Sequence, residues 1–291
     1  MKNNLVSIIT PSYNSAKFIK DCINSVVSQT YKEWEMIIVD DCSTDDSRQL
    51  ITKYAKKDNR IKVILLEENV GAAAARNIAI KESEGKYIAF LDSDDLWLPD
   101  KLSVQIKFLN LTRSVDLVYS DFSLFSEDRV SNRPIYRHVA IGIKDVQKRI
   151  CVTDFIGTLS VVVRSSAIDS LGPDPFDLAL KGTEDWDLWI VLLNRFQSSF
   201  IDQVLALYRV QEGSLSSDFH KHHLEEYKVL LRHSSLFDGL DPRVSRLALS
   251  CWHSKSLIYC VSNFNLTALI SAVLTAFRSC SVFFLVDLFS L

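Results

Sequence analysis

The sequence predicts an α/β fold in which a mostly parallel sheet is flanked by helices, followed by a helical extension. Three observations carry that expectation. Short β-branched or apolar runs alternate with segments of helical apolar spacing, the strand–helix order repeating from the N-terminus through about residue 110. Two of those runs discharge into carboxylates, Asp40-Asp41 and Asp92-Ser93-Asp94-Asp95, and ligands gather at the carboxyl ends of strands in open α/β sheets. From His220 onward the composition is helical, without strand signals.

The elements follow in order. Residues 6–10, VSIIT, form a β-branched run ended by the turn Pro11-Ser12-Tyr13-Asn14. Ser15 can cap the next helix, where Phe18, Ile19, Cys22, Ile23, Val26 and Val27 make one buried face. Residues 36–39, MIIV, are a second strand, ending in an acidic loop from Asp40 to Asp46. Thr44 or Asp45 can start a helix with Leu50, Ile51, Tyr54 and Ala55 inward. A third strand over 61–66 leads to Asn69-Val70-Gly71 and then AAAARN; alanine favours helix and allows close packing on a sheet.

The fourth strand, IAFL at 88–91, enters Asp92-Ser93-Asp94-Asp95 directly. Three carboxylates within four residues repel one another unless a cation or hydrogen-bond donors sit among them. Hard oxygen ligands there suit Mg²⁺ or Mn²⁺ holding a phosphate group; a solvated acidic turn ahead of a helix is the other reading. Pro99 suits the first turn of that helix, with Leu102, Ile106 and Leu109 on one face.

Residues 117–125 read as another strand. About the next 25 residues are polar and irregular, longer than most connections, and a mobile loop or flap is expected there. Residues 160–163 are a strand, and Leu171-Gly172-Pro173 closes a short helix. GTEDWDLW at 182–189 opens an amphipathic helix through Phe196, with Glu184 and Asp185 in the first turn, where the helix dipole favours anions. Trp186 and Trp189 read as core. A last strand over 200–210 leads to Gln211.

In the helical remainder, Leu224, Tyr227, Leu230 and Leu231 mark one face, and Val244, Leu247, Leu249 and Trp252 another. HxHH at His220, His222 and His223 reads as a solvated face, because no carboxylate is spaced to complete a zinc set. Residues 266–291 are strongly apolar but broken by Arg278 and Asp287, so a spanning helix is not expected. An in-plane helix at a membrane surface is the favoured reading, with packing on the body as the alternative.

At 291 residues, 47% hydrophobic and 24% charged, the chain suits one large or two modest globular domains. A net charge of −3 gives no general reason to expect nucleic-acid binding. The six cysteines are scattered without CxxC spacing, as for reduced thiols in a cytosolic chain. MKNNLVSIIT is too polar-headed for a signal peptide. The first half looks like a nucleotide-binding unit, yet it lacks GxGxxG and a Walker lysine loop, which argues against dehydrogenases and P-loop enzymes.

Five motifs in sequence, VSIITPSYN, SVVSQTY with IIVDDCSTDDS, NVGAAAARN, FLDSDDLWLPDKL and TEDWDLW, resemble family 2 glycosyltransferases of the GT-A fold over about residues 5–215. The resemblance implies a Rossmann-like GT-A domain over 1–215, with a nucleotide-binding half at 1–115 and an acceptor half at 116–215. The stretch 216–291 would be a helical extension. Pro11 and Tyr13 would line the base pocket, and Asp41 would accept a hydrogen bond from the base. Arg76 would lie beside the nucleotide. Asp92-Ser93-Asp94 matches the family's Asp-any-Asp motif: Asp92 would bond ribose or bound water and, with Asp94, hold the metal, while Ser93 lies between them at the donor. Asp185 matches the general base, with Glu184 beside it near the acceptor. Arg209 could pair with the diphosphate. Close relatives often carry histidine where this chain has Gln211, and glutamine is a poor replacement for imidazole as a metal ligand. Residue by residue, other readings stand beside these: Tyr13 as a surface aromatic, Asp40 as a loop cap, Asp185 as a helix N-terminal anion.

The implied activity is inverting, dependent on Mn²⁺ or Mg²⁺, and moves a sugar from a nucleotide sugar, a UDP-sugar by preference, to a hydroxyl of a glycan or lipid-linked oligosaccharide. Surface-glycan synthesis at the cytoplasmic face of the cell membrane, with peripheral membrane contact, is the expected setting. The rivals are a catalytically silent nucleotide-sugar-binding module and a sugar nucleotidyltransferase. The latter would want a glycine-rich basic loop after the first strand, and PSYNSAKF is not one.

Overall fold

Strand β1 (Lys2–Ser12) is the axis of the parallel half of the sheet: it pairs with β2 (Trp34–Asp40) on one side and β4 (Gly85–Phe90) on the other, and β2 carries β3 (Ile61–Leu65) at the edge. The computed structural model describes residues 2–126, 129–134, 145–151 and 153–211, together with 225, 226, 228–230, 232 and 233. The chain divides into two compact units, Met1–Ile141 with Phe155–Gln211, and Gly142–Asp154 with Glu212–Leu291.

Every residue of WEMIIVD in β2 is buried. Successive strand side chains point to opposite faces, so both faces are covered, and the run reads as continuously apolar for that reason. Helix α1 (Ile19–Val27) turns Ile19, Cys22, Ile23 and Val26 inward at the expected spacing. Helix α2 (Ser47–Ala55) packs on β3, and α3 (Ala72–Lys81) lays the small side chains of Ala73, Ala75 and Ala79 onto β1 and β2.

Past β4 the sheet changes sense. Strand β8 (Val161–Arg164) runs antiparallel to β4 and to β6 (Leu117–Ser126), and β9 (Ser198–Arg209) runs parallel to β6. The two-residue β5 (Leu96–Trp97) closes the order β3-β2-β1-β4-β8-β6-β9-β5, with β7 (Arg129–Pro134) paired to β6. Helices α4 (Lys101–Leu111), α6 (Ser165–Asp169) and α7 (Glu184–Arg195) and a 3-10 helix (Thr158–Ser160) complete the first unit, while the short α5 (Val146–Ile150) belongs to the second. Trp186 and Trp189 of α7 are core, as expected. Phe90, at the end of β4, is wedged edge-on between Phe176 and Trp189 at ring separations of 5.6 and 5.5 Å.

Local differences from the sequence reading have simple causes. Ser15 does not cap α1: its carbonyl accepts the Phe18 and Ile19 amides, and its hydroxyl bonds that of Ser12, so it closes a turn ahead of the helix. Pro99 sits before α4 rather than in its first turn, and its carbonyl accepts the Thr30 amide. Within the expected flap, β7 folds back on β6 with Val130 opposite Phe125, and α5 forms further on; residues 127, 128, 135–144 and 152 lie outside the described residues. So do the histidine cluster, the helical face at 244–252 and the apolar tail at 266–291. Among the described residues no helix is long and apolar enough to cross a membrane.

Candidate active site

The acidic turn begins where β4 gives its last bond, Leu91 N–H to the Ile9 carbonyl at 3.1 Å. The Asp95 amide then reaches back to the Asp92 carbonyl at 3.1 Å, folding the carboxylates together. The end of β9 supplies the donors such a cluster needs. The Arg209 amide bonds Asp95 Oδ1 at 2.8 Å, its Nε bonds the Asp94 carbonyl at 2.7 Å, and Gln211 Nε2 bonds Asp94 Oδ2 at 2.5 Å. The Arg209 guanidinium lies over the Phe125 and Phe18 rings, at 4.3 and 4.7 Å from their centres. Burial, followed by repulsion from Asp94 and Asp92, holds the Asp95 carboxyl well above the usual carboxylate range. Burial and then Asp92 raise Asp94 as well.

This donor set fits a divalent cation. Arg76 occupies Asp92 Oδ1 and Gln211 occupies Asp94 Oδ2, and a positive charge would relieve the repulsion between the two carboxyl groups. No three His, Cys, Asp or Glu side chains gather as ligands among the described residues. Mg²⁺ is often held by one or two carboxylates with phosphate oxygens and water completing its shell, and Asp92 and Asp94 offer that minimum. Half-buried Ser93 stands between them.

A second cluster sits at the ends of β1 and β2. Asp41 is buried, and its carboxylate accepts the Val70 amide at 2.7 Å and the Gly71 amide at 2.9 Å. Gly71, at φ 89°, caps α3 in a conformation that side chains rarely adopt, so Asp41 fixes the loop entering that helix. Each oxygen keeps a lone pair for a further donor. Pro11 is buried in β1, and Tyr13 stands 52% exposed beyond it, with Val70 also exposed at 41%. Asp40 is structural: it binds the Ser43 amide at 3.0 Å and Arg48 Nε at 2.7 Å.

The third cluster forms at the start of α7. Glu184 Oε2 accepts the Gly182 amide at 2.6 Å, and Glu184 Oε1 accepts Arg76 Nη1 at 2.7 Å. Arg76 Nη2 donates to Asp92 Oδ1, also at 2.7 Å. One buried guanidinium from α3 therefore joins the acidic turn to the head of α7. Half-buried Asp185 accepts the Trp186 amide at Oδ1, 2.8 Å, and the Thr158 hydroxyl at Oδ2, 2.5 Å. Burial and then Glu184 raise the Asp185 carboxyl above its ordinary value, against the pull of Arg76. A half-buried carboxylate of raised proton affinity can take a proton from a hydroxyl.

Of the residues expected from sequence, Arg76, Asp92 and Glu184 make one bonded chain, and Asp94, Arg209 and Gln211 another. Both meet in the turn of residues 92–95, and Asp41 lies with Val70 and Gly71. Sequence reasoning missed Asp95 as the buried partner of Arg209, and it missed Thr158. Nothing around Thr158 in GTLS signals a contact with a residue 27 positions on.

The sequence profile described as Glycosyl transferase family 2 matches residues 7–170. The chain belongs to that family. This family 2 glycosyltransferase is 38% identical over 216 residues to TuaG of Bacillus subtilis (strain 168), named for teichuronic acid biosynthesis, across 74% of this chain and 82% of TuaG. It is 34% identical over 232 residues to Escherichia coli WfgD, a UDP-Glc:alpha-D-GlcNAc-diphosphoundecaprenol beta-1,3-glucosyltransferase by name, across 79% and 87%. Its fold matches S. aureus TarS 1-349 in complex with UDP-GlcNAc at a TM-score of 0.63, with 22% identity over 95% of this chain and 92% of that one. It also matches the mannosyltransferase PcManGT of Pyrobaculum calidifontis, in complex with GDP-Man and Mn²⁺, at 0.61 with 19% identity over 98% and 78%. The fold of this glycosyltransferase is GT-A.

Proposed function

We propose that this glycosyltransferase moves a sugar from a UDP-sugar to a hydroxyl of a lipid-linked glycan in surface-polysaccharide synthesis, with inversion at the anomeric carbon and dependence on Mn²⁺ or Mg²⁺. The observation that carries the reading is the Arg76 bridge from Asp92 to Glu184, which unites the acidic turn and the carboxylates of α7 in one site. Pro11, Tyr13 and Asp41 bind the nucleobase, and Arg209 faces the diphosphate. Asp92 and Asp94, with Ser93 between them, would hold the cation, which when bound supplies Lewis-acid stabilisation of the leaving diphosphate. Asp185 takes the proton of the acceptor hydroxyl as that oxygen attacks the anomeric carbon, and Glu184 orients the acceptor. Direct attack forms the new glycosidic bond as the bond to the diphosphate breaks, and no covalent enzyme intermediate is needed.

The relatives named for UDP-Glc, a diphosphoundecaprenol acceptor and teichuronic acid support the donor nucleotide and the class of acceptor. The Mn²⁺ complex of PcManGT supports the cation. The apolar stretch 266–291 supports peripheral contact with the membrane where a lipid-linked acceptor resides, at its cytoplasmic face. A panel of nucleotide sugars tested for Mn²⁺-dependent binding and slow hydrolysis decides the reading. Selection of one UDP-sugar is expected. Binding of none by folded protein would overturn it, and binding without turnover would favour the silent module.

A further inference from the structure

We propose that Thr158 is a positioning residue for the transfer reaction: its hydroxyl fixes the orientation of the Asp185 carboxylate and stabilises its charged form. The proposal rests on the reading of Asp185 as the base.

Among the described residues, Asp185 receives two hydrogen bonds. One is from the Trp186 amide of its own helix, and the other, at 2.5 Å, is from the Thr158 hydroxyl. Thr158 alone therefore ties the carboxylate to another element and sets the rotation of its plane. A carboxylate held this way keeps one oxygen edge turned to its donor and presents the remaining lone pairs in a fixed direction, which a base needs if it is to meet a hydroxyl at hydrogen-bonding distance.

The donor is itself immobilised. Thr158 is buried at the head of the 3-10 helix, and the two residues after it are anchored from the segment that follows the acidic turn. Trp97 Nε1 bonds the Leu159 carbonyl at 2.9 Å, and Gln105 Nε2 bonds the Ser160 carbonyl at 2.8 Å. Ser160 closes the turn twice on the Gly157 carbonyl, through its amide at 2.8 Å and its hydroxyl at 2.6 Å. A Cβ on Gly157 would fall 2.8 Å from the Phe122 ring, so the loop lies against β6 at a distance that only glycine allows. Residues from β5, α4 and β6 thus pin the hydroxyl that aims the base.

Among the described residues, Glu184, Arg76, Thr158 and Trp186 act on the Asp185 carboxylate. Glu184 opposes its charge, whereas the Arg76 guanidinium, the Thr158 hydroxyl and the Trp186 amide favour it. Burial and Glu184 outweigh these partners, so removing one of them moves the carboxyl further toward its neutral form, which cannot accept a proton.

The test compares Thr158→Val, which keeps the branched shape, with Thr158→Ser and Asp185→Asn. It reads the pH dependence of kcat for Mn²⁺-dependent turnover of UDP-glucose and the ¹³C carboxyl titration of Asp185. Thr158→Val is expected to lose about tenfold in kcat near neutral pH with donor KM unchanged, and its acid limb to move up by about one pH unit, the scale of one charge-assisted hydrogen bond. Thr158→Ser should restore both. A Thr158→Val profile that superimposes on wild type, with Asp185→Asn inactive, overturns the role of Thr158 alone. Wild-type turnover by Asp185→Asn overturns the base assignment beneath it. If UDP-glucose is not turned over, the titration decides: Asp185 titrating at the same pH with and without the hydroxyl overturns the proposal. Thr158→Ala serves in both measurements should the valine variant fail to fold.

Discussion

Arg76 and Glu184 stand 108 residues apart in the chain and meet at 2.7 Å, each side chain less than a tenth exposed. The same guanidinium binds Asp92 at 2.7 Å. Burial works against its charge, yet Asp92, Glu184 and Asp185 together hold it above the ordinary arginine value. A planar fork of donors can serve two carboxylates at once, which a point charge on a flexible stem cannot.

Arg76→Ala leaves buried Glu184 without its counter-charge and is expected to cost about 3–5 kcal/mol of stability, read as a lower urea midpoint. Arg76→Lys should recover little of that loss. A wild-type midpoint in either variant would show that the bridge contributes nothing to folding.

Asp94→Ala removes one of the two carboxylates assigned to the cation. Calorimetry with UDP and Mn²⁺ should show the metal-dependent part of binding abolished, while the fold, followed by circular dichroism, is retained. Unchanged Mn²⁺-dependent binding would sink the metal assignment.

Lys101 is fully buried on α4, bonded to Gln105 Oε1 and stacked 4.4 Å from the centre of the Trp97 ring, and burial pushes its ammonium well below the ordinary 10.5. The unfolded chain then binds a proton that the folded chain resists, so stability is lost as pH falls from the ordinary lysine value through the folded one. Lys101→Met should raise the thermal midpoint, most at low pH and least above the ordinary lysine value. A midpoint difference that does not vary with pH would contradict this.

Truncation after residue 265 should release the protein from vesicles that carry acidic phospholipid, with the far-ultraviolet spectrum of the first unit preserved. Equal vesicle binding by the shortened chain would remove the apolar stretch from the membrane reading.

The parallel half was legible because each strand is a buried apolar run and each helix shows one inward face; Met36 to Val39 and Ile19 to Val26 needed no tertiary information. Strands β5 and β7 were not legible. Leu96-Trp97 is too short for a periodicity, and RVSNRP offers a single apolar residue, Val130, to an edge pairing. The resemblance to the family's motifs pointed to Arg76, Asp92 and Glu184 one by one, but their joining through one guanidinium depends on how α3 and α7 pack. The pairings of Thr158 with Asp185 and of Asp95 with Arg209 carry no local signature, because the partners lie 27 and 114 positions apart.

The Gln211–Asp94 and Arg209–Asp95 bonds also bear on how the site is born. During synthesis β1 to β4 can pair once about the first ninety residues are available, since their partners are close in sequence. The acidic turn made at that stage holds three carboxylates; Arg76 upstream can already serve Asp92, but the donors to Asp95 and Asp94 lie 114 and 117 residues downstream. A nascent chain halted before residue 211 would thus carry the parallel half of the sheet with two carboxylates of its acidic turn unquenched, making closure of that turn a late event in folding and chain termination upstream of Gln211 a source of ordered but incomplete protein.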